Sequence, residues 1–120
     1  MAPSSLIAVV DDDPSIRTAL SSLLRSAGYR VQLFADAESF LSGCAGAFPD
    51  CIVTDIQMER MNGLELIEAL QGVGCPPVIV ITAFPEPALR QRAMQLGAAA
   101  FLSKPFDAAE LLEQLGDAID

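Results

Sequence analysis

Five side chains carry the chemistry this sequence could perform. Asp11 and Asp12, Asp55, Thr82 and Lys104 each stand where an apolar run gives way to a loop, or just past it. Two carboxylates about 4 Å apart repel by roughly 4 kcal/mol at an effective dielectric near 20, so acids gathered at one edge call for a positive partner. A hard divalent cation is one candidate. It takes carboxylates, a backbone carbonyl and waters, and magnesium keeps waters while leaving room for a phosphoryl oxygen. Lys104 is the other candidate, and it is the only lysine in the chain. An ammonium neutralises a phosphoryl oxygen as a point charge, and the Thr82 hydroxyl can donate a hydrogen bond to another. These parts describe a phosphoryl group bound between metal, ammonium and hydroxyl.

The nucleophile in such a site must be a carboxylate. The chain has no histidine, which excludes Ser-His and Cys-His pairs and histidine-ligated zinc. Cys44, Cys51 and Cys75 lack the paired spacing of a zinc or disulfide framework and read as packing or surface thiols. Asp55 lies between the metal-binding acids and Thr82 in the inferred sheet, and an aspartyl phosphate is a known type of covalent intermediate.

The elements that must position these residues follow one grammar. Leu6 to Val10 is a continuous apolar run suited to a strand buried on both faces. Asp13 and Pro14 then read as N-cap and first residue of a helix with Ile16, Ala19, Leu20, Leu23, Leu24 and Ala27 at helical spacing, stopped by Gly28. Val31 to Phe34, Cys51 to Thr54, Val78 to Ile81 and Ala99 to Leu102 repeat the strand pattern. Helices are expected after Asp36, after Asn62 and Gly63, from Pro87 to Leu96 and Gly97, and after Asp107, where Glu110 completes the spacing of a capping box. Five strands alternating with five helices imply an α/β sheet with parallel neighbours and right-handed crossovers. Ligands bind such sheets at the carboxyl ends of the strands. Asp12 and Asp55 become neighbours if the first and third strands pair.

Composition bounds the rest. In 120 residues, 52% are hydrophobic and 16 acids face 7 bases, for a net charge of −9. That length suits one domain over residues 1–120 with a radius of gyration of about 14 Å. The charge opposes direct binding to nucleic acid or anionic membrane. The short apolar run near the start suits neither a signal peptide nor a membrane span, so a cytoplasmic location is expected.

Taken together, VVDDDPSIR, VTDIQMERMNG, VIVITA and FLSKPF resemble, in order and spacing, the signatures of a bacterial two-component response regulator receiver domain, across essentially the whole chain. The spacing is most similar to receivers of the nitrogen-fixation and LuxR-output type. The resemblance implies a flavodoxin-like, doubly wound five-stranded parallel sheet in the order 2-1-3-4-5. It implies that Asp55 accepts phosphate from a sensor histidine kinase or phosphotransfer protein with Mg2+ as cofactor. Asp12 would hold the metal directly, Asp11 through water, and the Gln57 carbonyl would supply another ligand. Thr82 would move toward the phosphoryl group, with Ala83 in the same phosphoryl-binding set, while Phe101 turns inward.

Two features depart from that pattern. Glu59 stands where the family usually has proline, and is expected to modulate loop shape, metal affinity or kinase docking. Pro85 and Pro87 stiffen the segment after Thr82, and Phe84 is expected to shield the phosphoryl group from water. Arg90 and Arg92 on the fourth helix and Glu110, Glu113 and Asp117 on the fifth read either as solvated faces or, with Phe101, as an output or homodimer face made by the fourth helix, fifth strand and fifth helix. Two rival readings compete. One is a receiver-shaped interaction module that takes no phosphate. The other is a haloacid-dehalogenase-like phosphohydrolase, because Asp11, Asp13 and Ser15 match D-x-D-x-[ST], with Asp11 as nucleophile.

Overall fold

The computed structural model describes residues 5–43, 49–58, 61–71, 76–83 and 85–119. Apolar runs become strands β1 (Leu6–Val10), β2 (Arg30–Phe34), β3 (Cys51–Thr54), β4 (Val78–Thr82) and β5 (Ala100–Ser103). Between and after them lie α1 (Pro14–Ser26), α2 (Ala37–Gly43), α3 (Gly63–Leu70), α4 (Pro87–Gln95) and α5 (Ala108–Ile119). All strand pairs are parallel, in the order β2-β1-β3-β4-β5. The radius of gyration is 13.0 Å.

Alternate residues of the sheet feed two cores, as a strand period of two dictates. Ala8, Val10, Ile52, Val78, Val80 and Phe101 pack against the layer of α2, α3 and α4, whereas Ile7, Val9, Val53, Ile79, Ile81 and Leu102 pack against α1 and α5. The central strands are buried on both faces, which explains why their sequences are uninterrupted apolar runs.

Helix ends obey local chemistry. The Asp13 carboxylate accepts from Ser15 N–H at 2.8 Å and Pro14 opens α1, as expected. α1 ends in a Schellman pair, Gly28 N–H to Arg25 O and Tyr29 N–H to Leu24 O, with Gly28 at φ 95° where a side chain would be strained. Asp36 accepts from Ser39 N–H at 2.7 Å to start α2.

Several expectations shift. β5 spans Ala100–Ser103, one residue later than expected at its start, although Ala99 N–H already donates to Val78 O of β4 at 2.7 Å. Ala19 and Ala27 are exposed, and the buried stripe of α1 narrows to Leu20 and Leu24. Glu110 N–H donates to Asp107 Oδ1 at 3.1 Å, but the reciprocal capping box lies at Asn62 and Glu65, at the start of α3. Cys44 and Cys75 fall outside the described residues. Cys51 is a buried free thiol on β3, and burial, with Asp50 adding to it, pushes its pKa up to about 12 against a lowering hydrogen bond at Ile52.

Candidate functional site

The β1–β3 register aligns Val10 with Thr54, so the residues that follow, Asp11 and Asp55, leave the sheet side by side at its carboxyl edge. The Asp55 N–H donates to Val10 O at 3.1 Å and ties the two chain exits together. One carboxylate oxygen each from Asp11, Asp12 and Asp55 lie within 4.8 Å of one another. β4 adds Thr82, which is fully buried, and β5 delivers Lys104, whose N–H donates to Thr82 O at 2.8 Å.

The ammonium takes a definite place. Lys104 Nζ donates to Asp11 Oδ2 and to Asp55 Oδ2, both at 2.9 Å. Asp12 and Asp55 are neighbours, as the pairing of the first and third strands implies, but the ammonium does not lie between them. Lys104 bridges Asp11 and Asp55, because those two residues directly extend paired strands while Asp12 sits one residue further out. Asp11 and Asp55 are buried and Asp12 is exposed. Burial pulls the Lys104 pKa down, but the hydrogen bonds and attraction of Asp11 and Asp55 outweigh it and hold the pKa above its ordinary 10.5. The group is therefore cationic throughout the neutral range.

Each buried carboxylate is engaged at both oxygens. Asp11 Oδ1 accepts from Asp13 N–H at 2.9 Å, and Asp55 Oδ1 accepts from Gln57 N–H at 3.0 Å. Among the described residues, no hydrogen bond or ion pair engages the Asp12 carboxylate, which stands open to solvent at the mouth. Three carboxylates against one ammonium leave a formal charge of −2 in a small volume lined by oxygen donors. That donor set and charge fit a hard divalent cation such as Mg2+.

Two residues shape this geometry that the reading of the sequence did not single out for it. Arg17 on α1 donates from Nη1 to the Asp11 carbonyl at 2.7 Å. Gly63 opens α3 so close to the Asp55 exit that a Cβ there would stand 2.4 Å from Asp55 O and 3.0 Å from Ile56 Cα. The sequence signal for Arg17 was available: it lies in the first turns of a helix after the acidic loop, and helical side chains lean toward the N-terminus. No local signal marks the Gly63 contact.

The remaining candidates separate. Gln57 and Ala83 are exposed beside the acids and Thr82 respectively. Glu59 and Phe84 lie outside the described residues. Phe101 already sits in the core at 9% exposure, packed with the α3 and α4 layer, so its ring is inward in this structure. Arg90, Met94, Phe101, Ser103, Glu110 and Gln114 line an open groove of about 430 Å³ along α4, β5 and α5. Arg92 faces the other way and pairs with Glu68 of α3 at 3.7 Å in an exposed contact.

Comparison with known proteins agrees with this geometry. The chain is 38% identical over 120 residues to the transcriptional regulatory protein FixJ of Bradyrhizobium diazoefficiens, matching 99% of this chain and 58% of the relative. It is 42% identical over 112 residues to FixJ of Azorhizobium caulinodans, matching 92% of this chain and 53% of that protein. The chain thus spans about half the length of the curated relatives it matches. The crystal structure of FixJ-N superposes with a TM-score of 0.90 at 31% identity, covering 99% of this chain and 95% of that one. Residues 7–116 match the response regulator receiver domain, and the chain belongs to that family.

Proposed function

We propose that this domain, spanning residues 1–120, is a phosphorylation-activated signalling switch in which Asp55 accepts a phosphoryl group from a sensor histidine kinase or phosphotransfer protein. The observation that carries the reading is the Lys104 ammonium held between Asp11 and Asp55, with the open Asp12 carboxylate beside them. An Asp55 carboxylate oxygen attacks the phosphorus of a phosphohistidine. The P–N bond breaks, its electron pair stays on the ring nitrogen, and the product is an aspartyl phosphate. Lys104 transfers its ammonium contact from the Asp55 carboxylate to a phosphoryl oxygen, and the Thr82 hydroxyl donates to another, with Ala83 in the same set. Bound Mg2+ would supply electrostatic stabilisation of the negative charge on the transferring phosphoryl group. Asp12, Asp55 and the Gln57 carbonyl would hold it directly and Asp11 through water. Glu59 and Phe84 modulate metal or kinase access and the lifetime of the phosphate.

The switch follows from charge. Phosphorylation adds roughly one negative charge beside Lys104 and Thr82, and the end of β4 responds. With Phe101 already inward, the response is a displacement within the α4–β5 packing rather than a swing from solvent. The groove between α4, β5 and α5 is the proposed output or homodimer face, with Arg90 rather than Arg92 as its cation. The domain acts on no separate substrate and promotes only its own phosphotransfer and dephosphorylation. Its net charge of −9 opposes direct nucleic-acid contact, and among the described residues no helix is long and apolar enough to cross a membrane. We place it in the cytoplasm, with control of transcription, named for the two relatives, as downstream output.

The hydrolase reading fails on local geometry. Its second acid, Asp13, is spent as the cap of α1, where its carboxylate accepts from the Ser15 N–H. The test is incubation with a small acyl phosphate and Mg2+ followed by intact-mass measurement. Wild type and Asp11→Asn are compared with Asp55→Asn, which is expected to lose the phosphoryl adduct altogether. Labelling retained in Asp55→Asn would move the nucleophile elsewhere, and no labelling of wild type by acyl phosphate or by phosphohistidine donors would favour an unphosphorylated module.

A further inference from the structure

We infer that Arg17 is a positioning residue for the cation site: by anchoring the Asp11 carbonyl it fixes the peptide plane that carries Asp12, and so aims the one open carboxylate at Asp55. The inference rests on the proposed Mg2+ site and concerns what prepares it. The Arg17 Nη1 to Asp11 O contact, at 2.7 Å, is short and charge-assisted. The Asp11 carbonyl and the Asp12 nitrogen belong to one rigid peptide unit, so holding that oxygen holds the Asp12 Cα.

Asp11 makes three other attachments, and none of them holds its carbonyl oxygen. Its N–H donates to Phe34 O, its Oδ1 accepts from Asp13 N–H and its Oδ2 accepts from Lys104. The first and last fix Asp11 itself, and the Asp13 N–H bond closes the turn across Asp12 from its far side, which leaves Arg17 as the anchor of the near peptide. Arg17 is half-buried, sits one turn into a helix capped by Asp13, and its own N–H is tied to Asp13 O. The guanidinium is thus held from behind by the helix that the acidic loop starts.

This role is separable from simple charge, because the two act with opposite sign. A cation near three carboxylates repels Mg2+, so if charge were all that Arg17 contributed, Arg17→Met would bind Mg2+ more tightly. A lost anchor lets Asp12 sample orientations that do not face Asp55, so binding weakens. Groups that orient metal ligands typically matter by about 10- to 100-fold in affinity. We expect the lower end, about tenfold, because the Asp12 carboxylate itself is unchanged.

The experiment is a calorimetric Mg2+ titration of wild type and Arg17→Met, with backbone amide exchange recorded in the metal-free proteins. The expected result is an approximately tenfold higher Kd for the variant, with faster exchange at Asp13 N–H and unchanged protection at core amides such as Leu24. Should Arg17→Met fail to fold, Arg17→Gln carries the same prediction. Equal or tighter Mg2+ binding in a folded variant, or unchanged Asp13 exchange, would overturn the role of Arg17 alone. Absence of Mg2+ binding by wild type would overturn it together with the proposed metal site.

Discussion

The two ends of the same five strands are built on opposite terms. At the amino end, polar groups are matched one donor to one acceptor. Leu6 N–H donates to Asp50 Oδ2 and Asp50 N–H returns a bond to Leu6 O, both at 2.8 Å, while Arg30 N–H meets Ser5 O and Ile52 N–H meets Pro77 O, both at 2.9 Å. At the carboxyl end, three carboxylates crowd around one ammonium and two of them are buried. Such excess charge costs stability unless a cation relieves it. The comparison teaches that stability is built at one end of the sheet so that a frustrated, reactive cluster can be held at the other. The rigid link between them is the apolar centre, where β1, β3 and β4 are buried on both faces.

The sharpest way to break that contrast is to disturb the carboxyl end sterically. In Gly63→Ala the new Cβ meets a backbone oxygen of Asp55, which cannot rotate away as a side chain would. Urea unfolding is expected to show a loss of about 2–3 kcal/mol, with slower phosphoryl labelling because Asp55 must shift. Near-native stability with normal labelling would show slack in the loop after β3 that the contact distances deny.

Alkaline titration separates the ends by pH. Cys51, at the amino end, keeps its proton to about 12 in the fold against 9.0 for the ordinary thiol, so stability is full below 9 and is lost as pH rises through that window. The steepest loss is about 1.4 kcal/mol per pH unit, and Cys51→Ala should flatten the curve between pH 9 and 10.5. Lys104 acts in the same direction higher up. Its stabilising charge is complete below 10.5 and disappears only above that value, so decline persisting in Cys51→Ala at higher pH belongs to the carboxyl end. An unchanged slope in Cys51→Ala would remove the thiol from the account.

The smallest effects give the cleanest contrast, since the same substitution should change sign between the ends. Asp50→Ala removes the acceptor for Leu6 N–H and is expected to cost about 0.5–1 kcal/mol while leaving labelling intact. Asp12→Ala removes the one carboxylate of the crowded set that no described residue engages. Its urea midpoint in metal-free buffer should rise slightly, and its stabilisation by added Mg2+ should vanish. A lower midpoint for Asp12→Ala would mean that the cluster is not frustrated.

Much of this was legible in the residues themselves. Leu6 to Val10 and Val78 to Ile81 could hardly be anything but central strands, and Asp13 with Pro14 announced a helix start through local geometry alone. The set Asp11, Asp12, Asp55, Thr82 and Lys104 was also readable, because each stands at the end of an apolar run and parallel strands share one carboxyl edge. What could not be read involves contacts between distant segments. Which acids Lys104 would bridge depends on strand register, Phe101 looks equally suited to core or surface on a half-covered strand, and Arg92 turns toward Glu68 only because of the rotation of α4 against α3. Asp107 caps α5 as its spacing with Glu110 implies, accepting from the Glu110 N–H, while the box closed in both directions is that of Asn62 and Glu65.

Residue types and their one-dimensional spacing thus decided the inventory: five strands with a buried centre, five helices, and a carboxylate, hydroxyl and ammonium set bound for one edge. Those features follow from burial period and helix capping, which act over a few residues. Tertiary packing alone decided the electrostatic pairing and the aim of the site. Lys104 reaches Asp11 across 93 residues of chain, Arg17 grips a carbonyl from the next helix, and Gly63 touches the exit of Asp55. Such contacts form only when the sheet order has brought separate segments within a hydrogen bond of one another.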